Sequence, residues 1–423
     1  TTEIYTLSLH DALPISAIIA RACYNNSRTG GTMSRFDQLD DRTPYFSVKY
    51  EVAQAQGNED TLPFWVADMD LPVAEPIVEA LRRRAAHPYY GYTSVDPRFY
   101  TTFAEWHTRR HGTPMNPDLL APAQNVVHAL LHVLACDCQE GDGVLVQPPV
   151  YFPFYSIIEK LKLKRVDNPL VLKDGRYEMD FDDLEEKLKS ENVKYMILCS
   201  PHNPVGRVWN EEELTKLVDL CYEHQVHILS DEIHSDLILK GKHIPLHTLN
   251  DKAAQITTSF YSSGKTFNLA ALHAAYIYMR NEEQKKLYLD LENKWDIPLT
   301  QLFGVVANIS AFSECEGWYQ EMMSYLQSNL AFLRDFIEKR LSPIRLIEPE
   351  STFLMWIDCR ELGLTQAELR RFFLKEANIF LNCGEMFGKE GVGFMRWNIA
   401  TPRARLEEGL ERVARALKKR MEG

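Results

Sequence analysis

Cysteine is sparse and scattered, with eight residues among 423 and no Cys-x-x-Cys pair, which excludes a zinc ribbon or a disulfide-stapled scaffold and suits a reducing cytoplasm. Cys136 and Cys138 are the one close pair, and they lie in an apolar helical stretch that suits inert thiols. Long apolar runs are absent too. No stretch approaches the roughly 18 residues needed to span a bilayer, so no membrane partner is expected. Positive charge is in deficit, 47 Lys plus Arg against 59 Asp plus Glu for a net charge of −12, and no basic stripe could track a phosphate backbone. Nucleic acid is therefore not expected as a partner. The remaining composition, 45% apolar and 25% charged, is that of a globular protein, and the length suits roughly two to three domains.

Residues 1–32 do not match the rest. They carry no basic n-region, and the apolar run at 17–20 is too short for a secretory segment. The stretch TLSLHDALPIS resembles translated sequencing-adapter read-through, whereas Met33 opens a natural-looking start, so 1–32 are expected to lie outside the functional protein.

From about residue 72 helical and strand signals alternate, the pattern of an α/β domain with a largely parallel sheet. Helices are expected over 72–87, 97–111, 125–140 and 210–225, the last opened by Asn210 and Glu213 at capping-box spacing. Short β-rich runs at 143–146, 195–199, 226–229, 255–261 and 274–279 read as buried strands. After about residue 314 the pattern changes: helices over 317–341 and 365–377 flank a strand at 353–359, with another at 394–399, which suggests a smaller α+β domain. The expected division is a large domain over 61–313 and a small one made of 33–60 and 314–423.

Three of these strands end in polar signatures: Ser200-Pro201-His202-Asn203-Pro204-Val205-Gly206, then Ser230-Asp231-Glu232-Ile233-His234, then Ser262-Ser263-Gly264-Lys265-Thr266. Ligands of open α/β sheets bind beyond the carboxyl ends of the strands, so an amide, a carboxylate and a lysine should converge there. That set suits pyridoxal phosphate, which needs a lysine for its imine, a carboxylate for its ring nitrogen and a donor at its phenolic oxygen. Lys265, Asp231 and Asn203 would supply them. His128 and His132, at i, i+4, have helical metal-pair spacing, but the sequence shows no third ligand and they read as packing histidines, so no metal site is expected.

With FWVADMD at 64–70, YGYT at 90–93, PPVYFPF at 148–154, KTFN at 265–268, FMRWN at 394–398 and ATPR at 400–403, the chain resembles a fold-type I pyridoxal-phosphate enzyme of the aminotransferase class I/II superfamily. The closer resemblance is to its cystathionine β-lyase branch, the carbon–sulfur lyases that include the maltose-regulon modulator protein. The resemblance implies Lys265 as the imine-forming lysine and proton shuttle, Asp231 at the pyridinium, Asn203 at the phenolic oxygen and Tyr151 stacked on the ring. It further implies His234 at the ring's rim, Arg396 clamping the substrate α-carboxylate, and Tyr92 serving the partner subunit's site in a homodimer. The phosphate would rest on the Val126 and Val127 N–H groups with the Ser262 hydroxyl. Two departures stand out: Gly264 where this branch usually has Ser, and Gln124-Asn125 where it tends to have Pro and a small residue. The implied reaction is α,β-elimination from L-cystathionine or an S-substituted cysteine. An aminotransferase of aromatic or related amino acids shares Lys265, Asp231 and Arg396, and a regulatory binding role is a third reading.

Overall fold

The computed structural model describes residues 34–297 and 300–422; the expectation for 1–32 lies outside the described residues. Seven strands form the large sheet: β1 (Leu120–Ala123), β2 (Gly143–Val146), β3 (Lys164–Asp167), β4 (Val193–Cys199), β5 (His227–Asp231), β6 (Thr257–Tyr261) and β7 (Ala275–Tyr278). Their order is β1-β7-β6-β5-β4-β2-β3, with β7 antiparallel to both neighbours and the remaining pairs parallel. Strands β2 and β6 are buried at every position, as parallel strands covered by helices on both faces must be.

Helices α1 (Glu75–Ala86), α2 (Arg98–His111), α3 (Val126–Asp137) and α4 (Glu211–Glu223) fall where the sequence places them. Their ends are chemical. Asn125 caps α3 by accepting from the His128 N–H, and Asn210 and Glu213 cap α4 reciprocally. Helix α3 stops at Asp137, short of the expected 140, because Cys138 turns extended and the Asp142 carboxylate takes the Gln139 N–H into a turn. Residues 255–256 end the helix Asp251–Ile256 rather than starting a strand, since Asn250 caps that helix.

The smaller antiparallel sheet comprises β8 (Arg345–Leu346), β9 (Leu354–Asp358), β10 (Asn382–Cys383) and β11 (Phe394–Asn398), in the order β8-β9-β11-β10. Helices α5 (Glu316–Arg340) and α6 (Arg403–Glu422) lie beside it, while the expected 365–377 helix is Gln366–Arg371 continued by a wider turn over Phe372–Glu376. The N-terminal segment packs on α5, with Phe36 edge-on to Trp318 at 5.8 Å and the Tyr325 hydroxyl donating to Asp37 at 2.7 Å.

A buried ion cluster fixes that segment to residues 64–70. The Asp70 carboxylate takes Lys49 Nζ at 2.7 Å, Arg42 Nη1 at 2.9 Å and the Tyr50 hydroxyl at 3.1 Å, with Arg405 3.6 Å away. Lys49 and Asp70 are 1% and 2% exposed. Burial alone would raise the Asp70 pKa, but Lys49, Arg405 and Arg42 together hold it below the usual carboxylate value. Removing one partner strands the others in a dry interior. Asp70→Ala should therefore lower unfolding stability by about 3–5 kcal/mol in urea titration; a loss under about 1 kcal/mol would mean that the cluster is solvated.

Candidate active site

Strands β4, β5 and β6 run side by side, so Cys199, Asp231 and Phe260 are neighbours in register at their carboxyl ends. Asn203 follows Cys199 in the loop after β4, and Lys265 follows β6 in the short helix Ser263–Thr266. Gly206 closes the β4 loop at φ +72, where an added Cβ would lie 3.2 Å from Pro349, so the chain turns sharply there. The amide, carboxylate and lysine expected at the strand ends are thus brought to one edge of the sheet.

Residues 65–69 form a strap across this edge, and each of their carbonyls accepts a hydrogen bond from a cation or side-chain amide. Arg396 Nη2 reaches Trp65 O at 3.1 Å, Asn398 Nδ2 reaches Val66 O at 2.7 Å and Asp68 O at 2.9 Å, and Lys265 Nζ reaches Ala67 O at 2.7 Å. Arg42 and Asn268 both donate to Met69 O at 3.0 Å, and Asn268 also accepts from the Met69 N–H at 3.0 Å. The sequence pointed to Arg396 and Lys265. It gave no role to Asn268 or Asn398, whose only signal was membership of the KTFN and FMRWN motifs.

Charge is tuned by this dry setting. Burial, aided by the Arg396 cation, pushes the Lys265 amine down to about 8, against the smaller pull of Asp68 and Asp231. Burial pushes the Asp231 carboxyl up to about 7, with Glu232 adding to it and the Ile233 N–H, 3.2 Å from Oδ1, opposing it. Glu232 is the opposite case: despite its burial, His243 at 2.9 Å, with His247 and the Leu246 N–H, holds it down to about 2, and the Ser259 and Tyr261 hydroxyls also donate to it. Arg396 is buried and lowered to about 10, its Nη1 on Asn203 Oδ1 at 2.9 Å and its Nη2 also on Asn382 at 2.6 Å. Among the described residues no carboxylate pairs with it, and its Nε is buried without a partner. His234 is buried, its Nδ1 has no partner among the described residues, and burial beside Lys265 and Arg396 lowers it to about 3.

Other expected groups stand as follows. Tyr151 packs edge-on to Phe154 at 5.6 Å, near enough to Arg396 and Asp231 to feel both charges. Val126 and Val127 open α3, where the N–H groups of a first turn have no intrahelical acceptor. The Ser262 hydroxyl is engaged, donating to Ala274 O at 2.9 Å and accepting the Gly264 N–H at 3.1 Å. Gly264 itself lies against Ala270, where an added Cβ would come within 3.3 Å of the Cα. Tyr92 is fully exposed.

The unsatisfied groups fit a pyridine aldehyde phosphate. Among the described residues no cation is hydrogen-bonded to Asp231, which could take a ring N–H, Lys265 offers an amine depressed toward neutrality, and Asn203 could turn its Nδ2 hydrogens to an oxygen beside Arg396. In the cofactor-free protein the Asp231 carboxyl has its folded pKa raised above the unfolded one. Its protonated form is therefore tolerated at low pH, and stability is lost as pH rises from about 4 to about 7. Asp231→Asn should remove that loss, stabilising the cofactor-free protein at pH 8 by about 2 kcal/mol more than at pH 5, as read by thermal melting; an equal effect at both pH values would contradict the buried carboxyl.

The sequence matches the aminotransferase class I and II family over residues 60–413. It is 38% identical to the cystathionine beta-lyase PatB of Bacillus subtilis (strain 168), covering 90% of this chain and 99% of that one. It is also 30% identical to the protein MalY of Escherichia coli (strain K12), covering 91% and 99%. The fold superposes on the crystal structure of cystalysin from Treponema denticola, which contains a pyridoxal 5'-phosphate cofactor, with a TM-score of 0.88 at 31% identity over 92% of this chain and 100% of that one. The expected fold-type I arrangement and the observed sheet agree, and the chain belongs to the aminotransferase class I and II family.

Proposed function

We propose that this protein is a pyridoxal-phosphate-dependent carbon–sulfur β-lyase, acting by α,β-elimination on L-cystathionine or an S-substituted L-cysteine to give a thiol, pyruvate and ammonia. The observation that carries it is the meeting of Lys265, Asp231 and Arg396 beneath the 65–69 strap, in a chain that shares 38% of its residues with a cystathionine β-lyase. When bound, the cofactor supplies an electron sink conjugated to the substrate Cα. The protein supplies the rest. Arg396, buried without a carboxylate, takes the substrate α-carboxylate in a charge-assisted pair. Lys265 Nζ, down at about 8, is partly unprotonated near neutrality and takes the Cα proton. Asp231 would accept the ring N–H, which would hold its carboxyl ionised, and Asn203 Nδ2 would donate to the phenolic oxygen. Tyr151 and His234 would flank the ring, and the Val126 and Val127 N–H groups at the start of α3 would hold the phosphate, since the Ser262 hydroxyl is engaged by Ala274 and Gly264. The electron pair of the broken carbon–sulfur bond leaves with sulfur.

The reading includes the division into a large domain over 61–313 and a small one of 33–60 plus 314–423, supported by the two separate sheets. It also places the protein in the cytoplasm, which its free thiols suit. None of the described helices is long and apolar enough to cross a membrane.

Holoenzyme given L-cystathionine without a 2-oxo acid should release thiol and pyruvate continuously, and Lys265→Ala should slow this by about 10²–10⁴-fold or more while keeping a cooperative melt. No release, with amino transfer once a 2-oxo acid is added, would overturn the lyase reading in favour of an aminotransferase.

The same reading includes a homodimer in which Tyr92 enters the partner's site. Supporting it, Tyr89, Tyr90 and Tyr92 are exposed in one segment, and Tyr45, Phe46 and Val48 in another. Each site would then use Lys265 from one chain and Tyr92 from the other. Mixing inactive Lys265→Ala chains with impaired Tyr92→Phe chains should rebuild one intact site per hybrid and restore turnover; a mixture no more active than its parts would contradict the shared site.

A further inference from the structure

The face of α3 turned toward the helix Glu282–Trp295 carries His128 and His132, one turn apart, with ring centroids 3.8 Å apart. Glu292, distant in sequence, approaches the pair from that second helix on the His132 side. His132 Nδ1 meets Glu292 Oε1 in a short contact, and one ligand atom from each of His128, His132 and Glu292 lies within 4.8 Å of the other two. Glu292 is 1% exposed, yet among the described residues neither its Oε2 nor the buried Nδ1 of His128 has a partner in hydrogen-bond geometry. A hydrogen bond to His132 satisfies one carboxylate oxygen and leaves the other bare in a dry setting, which is costly. A cation between the three side chains would satisfy both helices at once.

The surrounding groups narrow the choice. The Tyr288 hydroxyl donates to Pro122 O at 3.1 Å and also faces the Glu292 carboxylate, one turn along the same helix. Cys136, one turn beyond His132, turns its thiol to Leu287 O at 3.7 Å and lies outside the donor set. Two imidazole nitrogens and one carboxylate oxygen, with a further position left for water, suit borderline divalent ions rather than magnesium or calcium, which prefer oxygen throughout.

We propose that His128, His132 and Glu292 form a three-ligand site for a divalent transition-metal ion of the zinc, cobalt and nickel class. The site ties α3, whose first turn holds Val126 and Val127, to the helix Glu282–Trp295. It is independent of the reaction at Lys265.

Trp295 offers a reporter, since its ring stands edge-on to His132 at 5.0 Å. Chelator-treated holoenzyme titrated with cobalt(II) alone should lose Trp295 fluorescence and saturate at one ion per chain in equilibrium dialysis, with zinc(II) competing. Trp295→Phe should abolish the optical signal and keep the stoichiometry. His128→Gln and Glu292→Gln should each weaken binding by about tenfold or more. If Glu292→Gln fails to fold, the half-buried His128 position decides. Uptake of less than one ion per chain by the wild type, or undiminished binding by His128→Gln, would overturn the site.

Discussion

The carbonyl groups of residues 65–69 impose the constraint on which the rest of the site depends. A backbone crossing a protein interior outside a helix or sheet must find donors for its oxygens. Here the donors are Arg396, Asn398, Lys265, Lys49, Arg42 and Asn268. They come from the N-terminal segment, the edge of the large sheet and the smaller sheet. The strap therefore does two things with one set of bonds: it joins three parts of the chain, and it fixes the heads of Lys265 and Arg396. Asp70, at its end, adds the ion cluster that holds the N-terminal segment down.

That arrangement explains the charge pattern. Lys265 hydrogen-bonds a neutral carbonyl rather than a carboxylate, so nothing in direct contact offsets the cost of burying its charge, and Arg396 adds repulsion. Arg396 in turn is surrounded by amides and a carbonyl, which position a guanidinium without neutralising it. Asp231 and Glu232 are adjacent in sequence and both buried, yet they move in opposite directions. Glu232 points into a nest of His243, Ser259 and Tyr261, whereas Asp231 faces the cleft with one backbone N–H. Asp231 ends β5 and Glu232, one residue on, still pairs its N–H with Phe260 O, so the alternation of the strand carries on and separates a structural carboxylate from one left for a ligand.

Much of this was legible in the sequence. Parallel strands end in recognisable polar motifs, so Asn203, Asp231 and Lys265 could be assigned to one edge before any coordinates, and the helices with strong caps fell close to their expected bounds. What escaped was long-range or weakly signalled. The helix Glu282–Trp295 has few apolar positions and buries mainly Gln284, Tyr288 and Glu292, so its periodicity is faint and the meeting of Glu292 with His132 is invisible in spacing. Asn268 and Asn398 act through amides, and a lone asparagine carries no signature of the carbonyls it will reach. The Ser262 hydroxyl was expected to await a phosphate, but as an N-cap residue it is occupied locally by Gly264 and Ala274.

The strap holds the Lys265 amine in a half-buried cleft beside the Arg396 cation, where it loses its proton near neutrality. The most direct measurement is the titration of that amine in the cofactor-free protein, followed by carbon-13 NMR of labelled lysine with Lys265→Arg to assign the signal. A midpoint near 8 is expected. A midpoint close to the ordinary lysine value of about 10.4 would place the amine in water and contradict it.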